Sequence, residues 1–262
     1  MNVIKVDEKN DVDSTFLDKI KNKGFDCILT TSVGIDHIDT EYAKKIRIRV
    51  ENTDYQSEHS VAQHYFALLL KLCEPSKKKR GIELRGKQLA ILGYGRIGKA
   101  CEQIAKGFGM DVVTMDFEAH IGIPPEFITK SFALFLCMPL TGYTRAGSCF
   151  DNHGFFGKRI FENIFYKRHD ANKLEFVVNC ARDKLVDNEF MAQLLDDGKL
   201  RAYAVDEETI KYQYITKSVL DKLYCTPHIG WKTRECANRR ERAVFCKYRE
   251  LLGDTTWKKI KN

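Results

Sequence analysis

The chain has 262 residues, enough for one large domain or two small ones with a real core. Hydrophobic residues make up 44% of it and charged residues 30%, a globular composition that excludes a disordered chain. The formal charge of +7 is modest and no apolar run is long enough to cross a bilayer, so no membrane partner is expected.

The first residues, "MNVIKVDEKNDVD", turn acidic at once and lack a basic start with an apolar stretch, so no secretory leader is expected. Within them "NVIKV", 2–6, reads as a strand, and "STFLDKIKNK" reads as a helix opened by Ser14 or the acidic residues before it. "FDCILT", 25–30, is a second strand and "IRIRVEN" a third. "SEHSVAQHYFALLLKLC", 57–73, carries Val61, Ala62, Phe66, Leu69 and Leu70 on one helical stripe. A polar stretch with Pro75 and Gly81 follows, the best boundary in the chain. It divides a lobe of 1–75 and 232–262 from a domain of 76–231.

A second alternating series comes next: strand "QLAILG", helix "IGKACEQIAKGF", strands "MDVVTMD", "FALFLCM" and "EFVVNC", helix "NEFMAQLLDDG" and strand "RAYAVD". Strands and helices at this pace predict an α/β fold with a doubly wound parallel sheet. A final helix, roughly 232–252, is expected to fold back on the first region. Nine cysteines, an odd number without paired short spacings, argue against a disulfide framework and a zinc site. They read as reduced thiols in a cytoplasm, and no metal is expected. The basic runs "SKKKRG", 76–81, and "NRRER", 238–242, read as solvated linkers or helix faces, so no nucleic-acid partner is expected.

"GYGRIG", Gly93 to Gly98, lies just after a strand and opens a helix. There Gly93 permits a tight turn, Gly95 lets backbone approach a pyrophosphate, and Gly98 permits close helix–sheet packing. The helix N-terminus supplies N–H donors and a positive dipole end. "VVTMD" ends in Asp116, 23 positions after Gly93 (116 − 93), at the end of the next strand. A carboxylate there accepts from a ribose 2′-OH and repels a 2′-phosphate, so the pattern predicts NAD rather than NADP. "YCTPHIG", 224–230, raises a separate question. On the residues alone, His228 reads either as a core histidine or as a proton donor at the mouth of a pocket.

Most of the chain resembles the D-isomer-specific 2-hydroxyacid dehydrogenase family, most nearly its D-lactate dehydrogenase and VanH-like branch. The stretches that carry the resemblance stand in the family's order: "TTSVGIDHIDT", "SVAQHYFALLL", "LRGKQLAILGYGRIGKACEQIAKGFGMDVVTMD", "LCMPLTGYTR", "VVNCARDKLVDNEFMAQLLDDGKLRAYAVD" and "CTPHIG". The resemblance implies a Rossmann NAD-binding domain and a flavodoxin-like substrate lobe, here truncated. It puts Arg96 and Ile97 in the phosphate turn and Asp116 on the adenine ribose. It puts Cys137, Met138, Pro139 and Thr144 along the cofactor, Cys180 and Ala181 along the nicotinamide, and Asp206 on its carboxamide. Arg182 would grip the carboxylate and carbonyl of a 2-keto acid, and His228 would protonate that carbonyl as hydride arrives. The residue types suit the chemistry. A guanidinium can bind a carboxylate through two parallel hydrogen bonds where an ammonium cannot. An imidazolium can neutralise the charge that builds on a reduced ketone.

The sequence departs from the family in three places. The glutamate that partners the histidine would fall, ungapped, on Lys211; "AVDEETIKYQ" holds Glu207 and Glu208, and Glu208 is the favoured substitute. Asp183 replaces a glycine after the arginine and would strain or re-route the loop, neutralise Arg182, or serve as a cap or turn residue. The first lobe has no counterpart to about half of its relatives', and "GSCFDNHGFFGKRIFENIFYKRHDANK", 147–173, is longer than expected and matches poorly. Apolar surface left by a shortened lobe would favour a homodimer. The reading is an NAD-dependent oxidoreductase that interconverts a pyruvate-like 2-keto acid and a D-lactate-like D-2-hydroxy acid. The alternative is a catalytically impaired NAD-binding relative, and a more distant one is an adaptor that uses the basic runs.

Overall fold

The computed structural model describes residues 1–7, 11–32, 34–35, 37–53, 57–75, 80–116, 123–140, 153–162 (backbone alone at 159 and 160), 165–166, 173–207 and 216–253. The chain divides into two units, Met1–Ser57 with Lys232–Asn262, and Glu58–Trp231.

In the smaller unit, β1 (Val3–Val6), β2 (Cys27–Thr30) and β3 (Arg49–Glu51) form a parallel sheet in the order β1-β2-β3. Helices α1 (Ser14–Asn22) and α2 (Thr40–Lys45) make the crossovers. Each is opened by an aspartate whose side chain accepts from a first-turn amide: Asp13 from Phe16 at 2.8 Å and Asp39 from Tyr42 at 2.9 Å. Such caps typically contribute about 1 kcal/mol each. Leu17, Ile20, Ile28, Ala43 and Ile48 form the core. As the sequence predicts, the last helix, α9 (Arg234–Leu251), returns to this unit, where Arg240 pairs with Asp7 at 3.1 Å.

The larger unit holds β4 (Gln88–Leu92), β5 (Asp111–Met115), β6 (Ala133–Leu136), β7 (Phe176–Asn179), β8 (Ala202–Val205) and β9 (Leu223–Cys225). All pair in parallel, in the order β5-β4-β6-β7-β8-β9. From β4 the chain first winds one way to β5 and then returns past β4 to β6. The C-terminal ends of β4 and β6 therefore flank a switch point, where such sheets bind ligands.

Successive strand residues point to opposite faces, and both faces are covered. Leu89, Ile91 and Phe135 pack with Tyr65, Phe66 and Leu69 of α3 (Glu58–Cys73) and Ala100 and Cys101 of α4 (Arg96–Gly107). Ala90, Leu92, Leu134 and Leu136 pack on the other face with Ile128 of α5 (Pro125–Thr129), Phe161 of α6 (Lys158–Glu162), Phe190 and Leu194 of α7 (Asn188–Asp196) and Val219 of α8 (Lys217–Leu220). Full burial of each leucine, isoleucine, valine or phenylalanine among them stabilises by roughly 1.5–3 kcal/mol before entropy is counted.

The burial of α3 corrects the predicted boundary. The division falls at Ser57 rather than at 75, because α3 spends its apolar face on the larger sheet. The poorly matched segment after β6 also contributes. Phe156 and Phe161 stack at 4.2 Å, fully buried, and Phe165 packs with them beside Phe190.

Candidate active site

β4 runs into Gly93, whose φ of +97° suits only glycine well. A Cβ at Gly93 would lie 2.5 Å from the Met138 nitrogen, and one at Gly98 would lie 2.2 Å from the Gly93 oxygen. Backbone therefore presses on backbone at both positions. At Gly95 a Cβ would meet nothing within 4 Å, and as N-cap of α4 this residue brings no side-chain acceptor to the leading amides. The result is open space before a helix N-terminus, a cradle that fits a pyrophosphate. Asp116 follows β5 and accepts from the Tyr94 amide at 3.3 Å, which sets its carboxylate beside the turn. The Arg96 guanidinium pairs with Glu58 at the start of α3, and Ile97 packs partly buried on the α3 face. Met138 is buried and Pro139 exposed just beyond β6; Thr144 lies outside the described residues.

After β7 the chain is locked by a residue the sequence reading passed over. Asn179, buried, accepts from the Ala181 amide at 2.9 Å and donates to the Arg182 carbonyl at 2.8 Å. That short-range bracket fixes Cys180, Ala181 and Arg182 as they leave the sheet. Arg182 is half-buried, extended at φ −144°, and one guanidinium nitrogen donates to the Ala181 carbonyl at 2.9 Å. Asp183 has none of the glycine-like backbone feared for it: it starts a 3-10 turn, Asp183–Leu185, and is not among the described residues with positive φ. Burial first, then the Asp206 charge, holds the Cys180 thiol well above its usual range, so it is a neutral wall rather than a nucleophile.

At the end of β8, Asp206 is buried and accepts from the Thr226 hydroxyl (2.6 Å) and the amides of Ile229 (2.9 Å) and Gly230 (2.6 Å). His64 Nε2 lies 3.3 Å from the same carboxylate. Burial by itself would raise its pKa. The hydrogen bonds from His64, Thr226, Ile229 and Gly230 outweigh burial and hold it at about 2.

The next residue is one of the two glutamates considered in place of the missing one. Glu207 Oε2 accepts from the Asp183 amide at 2.8 Å, and its Oε1 stands 3.9 Å from His228 Nδ1. Burial first, and then the Asp183 charge, raise the Glu207 pKa, against the Asp183 amide, His228 and Arg182, which lower it. One carboxylate thus faces both the arginine and the histidine singled out in the sequence. Glu208, the favoured substitute, and Lys211 lie outside the described residues, as do 76–79 of the basic run. His228 itself has φ +51°, a left-handed conformation uncommon for residues with a side chain and often found where function holds a residue in place.

The sheet order, the glycine cradle and the carboxylate beside it define a dinucleotide-binding α/β protein. The sequence model of "D-isomer specific 2-hydroxyacid dehydrogenase, NAD binding domain" matches residues 54–230. The chain belongs to that family, and NAD is the cofactor of the matched domain. Among curated relatives, it is 31% identical over 231 residues to a D-3-phosphoglycerate dehydrogenase of Methanocaldococcus jannaschii, a match covering 78% of this chain and 41% of that one. It is 27% identical to a D-specific alpha-keto acid dehydrogenase of Enterococcus faecalis, covering 99% and 81%. Its fold is that of D-lactate dehydrogenase from Aquifex aeolicus, solved with NAD and lactic acid: TM-score 0.73, 24% identity, 97% of this chain and 84% of that one. Across these relatives the chain spans from under half to about four-fifths of their length. Among the described residues no helix is long and apolar enough to cross a membrane.

Proposed function

We propose that the protein reduces a small, pyruvate-like 2-keto acid to the D-2-hydroxy acid, a D-lactate-like product, and runs the reverse reaction. The observation that carries this reading is the convergence of Arg182, Glu207 and His228 in the unit that holds the dinucleotide cradle. Gly93, Gly95, Ile97 and Gly98 would shape the pyrophosphate site, with Arg96 exchanging Glu58 for phosphate. Asp116 would take the ribose, and Met138, Pro139, Cys180, Ala181 and Asp206 the nicotinamide side. Bound NADH supplies the hydride. Arg182 would bind the substrate carboxylate, and the His228 imidazolium would give its proton to the carbonyl oxygen. Glu207 would favour that imidazolium by its negative charge. A carboxylate at this place supports the active reading over the impaired one.

Eight described cysteines are free thiols, which supports a cytoplasmic setting. Phe245, Tyr248 and Leu252, all exposed at or beside the end of α9, support a homodimer. The test is NADH oxidation with a panel of 2-keto acids: pyruvate, glyoxylate, hydroxypyruvate and branched acids. Turnover with pyruvate-like members is the expected result. No turnover with any of them would overturn the reading.

A further inference from the structure

His64 belongs to α3, far in sequence from Asp206 and the 226–230 loop, yet it touches the clamp on the His228 loop. Its Nε2 lies 3.0 Å from the Thr226 hydroxyl oxygen and 3.3 Å from Asp206 Oδ1. The direction of these bonds can be worked out. An ionised carboxylate only accepts, so the Thr226 hydroxyl must donate to Asp206, and its oxygen is left as an acceptor. His64 Nε2 therefore carries a proton and donates to both. A second residue of α3 acts on the same loop, for Ser60 donates to the Gly230 carbonyl at 2.7 Å.

The loop is held at each of its ends. Thr226 is fixed by Asp206 and His64, and Ile229 and Gly230 by Asp206. Between them, the His228 amide donates to the Thr226 carbonyl at 3.0 Å across Pro227, a tight three-residue turn. A Cβ at Gly230 would lie 2.8 Å from Asp206 Oδ2 and 3.3 Å from His64 Cδ2, so carboxylate and imidazole pack directly on the loop's last residue. A left-handed histidine persists only where its surroundings over-determine it, and these contacts do so.

We propose that His64 is a positioning residue for His228: by donating to Thr226 and Asp206 it fixes the 226–230 loop in the conformation that turns the His228 imidazole toward Glu207. The catalytic part of this proposal rests on the reading of His228 as the proton donor; the structural part does not. His64 differs from a simple packing residue in needing a donor at Nε2. Glutamine can set an amide nitrogen near that point, while leucine fills the space with no donor.

The test compares His64→Leu with His64→Gln. In His64→Leu, kcat for keto-acid reduction should fall by up to about 10²-fold, the usual effect of a displacement near 1 Å, with KM and NADH affinity little changed. His64→Gln should recover most of it. Loss of kcat in neither variant, or equal loss in both, would overturn the catalytic part. Amide hydrogen exchange at Ile229 and Gly230 reads the clamp without turnover. Protection there should drop in His64→Leu and return in His64→Gln, while β4 and α4 amides keep theirs. Unchanged protection at both would overturn the proposal even if kcat changed. If the unaltered protein reduces no keto acid, the functional reading fails, and the exchange result alone decides the role of His64. Should His64→Leu not fold, Thr226→Val removes the hydroxyl at constant shape and should give the same local loss.

Discussion

At the phosphate turn, Gly93, Gly95 and Gly98 stand within six consecutive residues, and each has a role set by the local chain. At the proposed acid–base end, Arg182, Glu207 and His228 leave three different strands and are spread over 46 positions (228 − 182). The first region is stiff because backbone meets backbone there, as at 2.2 Å between a Gly98 Cβ and the Gly93 oxygen. The second is held by side chains, chiefly Asp206 and Glu207, on backbone amides. The comparison teaches that a motif read along the chain can hold a cofactor, whereas chemistry depends on loops that only the tertiary fold brings together. Damage to the two regions should therefore separate into loss of binding and loss of turnover.

The largest separation should come from His228→Ala. Turnover should fall about 10²–10⁴-fold, the usual worth of a positioned acid, while NADH affinity is kept. Steady-state kinetics beside a nicotinamide fluorescence titration measures both. An equal loss in the two would erase the distinction between the regions.

Within the phosphate turn the glycines should themselves divide. Gly98→Ala forces a methyl into backbone and should cost roughly 1–3 kcal/mol of stability, as overpacking usually does. Gly95→Ala enters open space, so its melting temperature should stay near that of the unaltered protein while its NADH affinity falls. Thermal melts with cofactor titration decide, and a Gly95→Ala variant that binds NADH normally would remove Gly95 from the cradle.

Asp116→Ala should have a smaller effect, confined to cofactor choice. The preference for NADH over NADPH should narrow by about 1–3 kcal/mol, the cost of an uncompensated polar group. Equal affinities for both cofactors in the unaltered protein would contradict the assignment.

What the sequence made legible follows the same division. The parallel sheet and the glycine turn rest on local pattern, and the fold agrees; the roles given to Asp116, Arg182 and His228 rest on local pattern or on family order. Glu207 was legible only as one of two candidates. Counting along the chain led to Glu208 and Lys211, which lie outside the described residues; the Asp183 amide, 24 positions away, holds the Glu207 carboxylate beside His228. Asn179 gave a faint signal, a buried amide ending a strand of otherwise apolar residues. His64 gave none, being one of several polar residues along α3. The short helices α2, α5 and α8 are too brief for a 3.6-residue period to show. Phe155, Phe156, Phe161 and Phe165, all buried, lie in the segment that matches the family poorly.

The smallest effect should appear in acid. Asp206 titrates at about 2 instead of 3.8, so the folded state favours its ionised form. That contribution to stability is complete well above the unfolded value and is lost as pH falls from about 4 toward 2. The melting temperature of Asp206→Asn should therefore fall less steeply across this interval than that of the unaltered protein. Parallel slopes would deny the clamp its charge.

The central claim is that Glu207 supplies the carboxylate behind the His228 acid, and a pH–rate profile of keto-acid reduction tests it most directly. With Glu207 in place, kcat/KM should fall on the acid side as its carboxylate, whose pKa burial raises, takes up a proton. In Glu207→Gln that titrating group is gone, so kcat/KM should be low throughout and the acid-side fall should disappear, with NADH affinity preserved. Superimposable profiles for the two proteins would contradict the account.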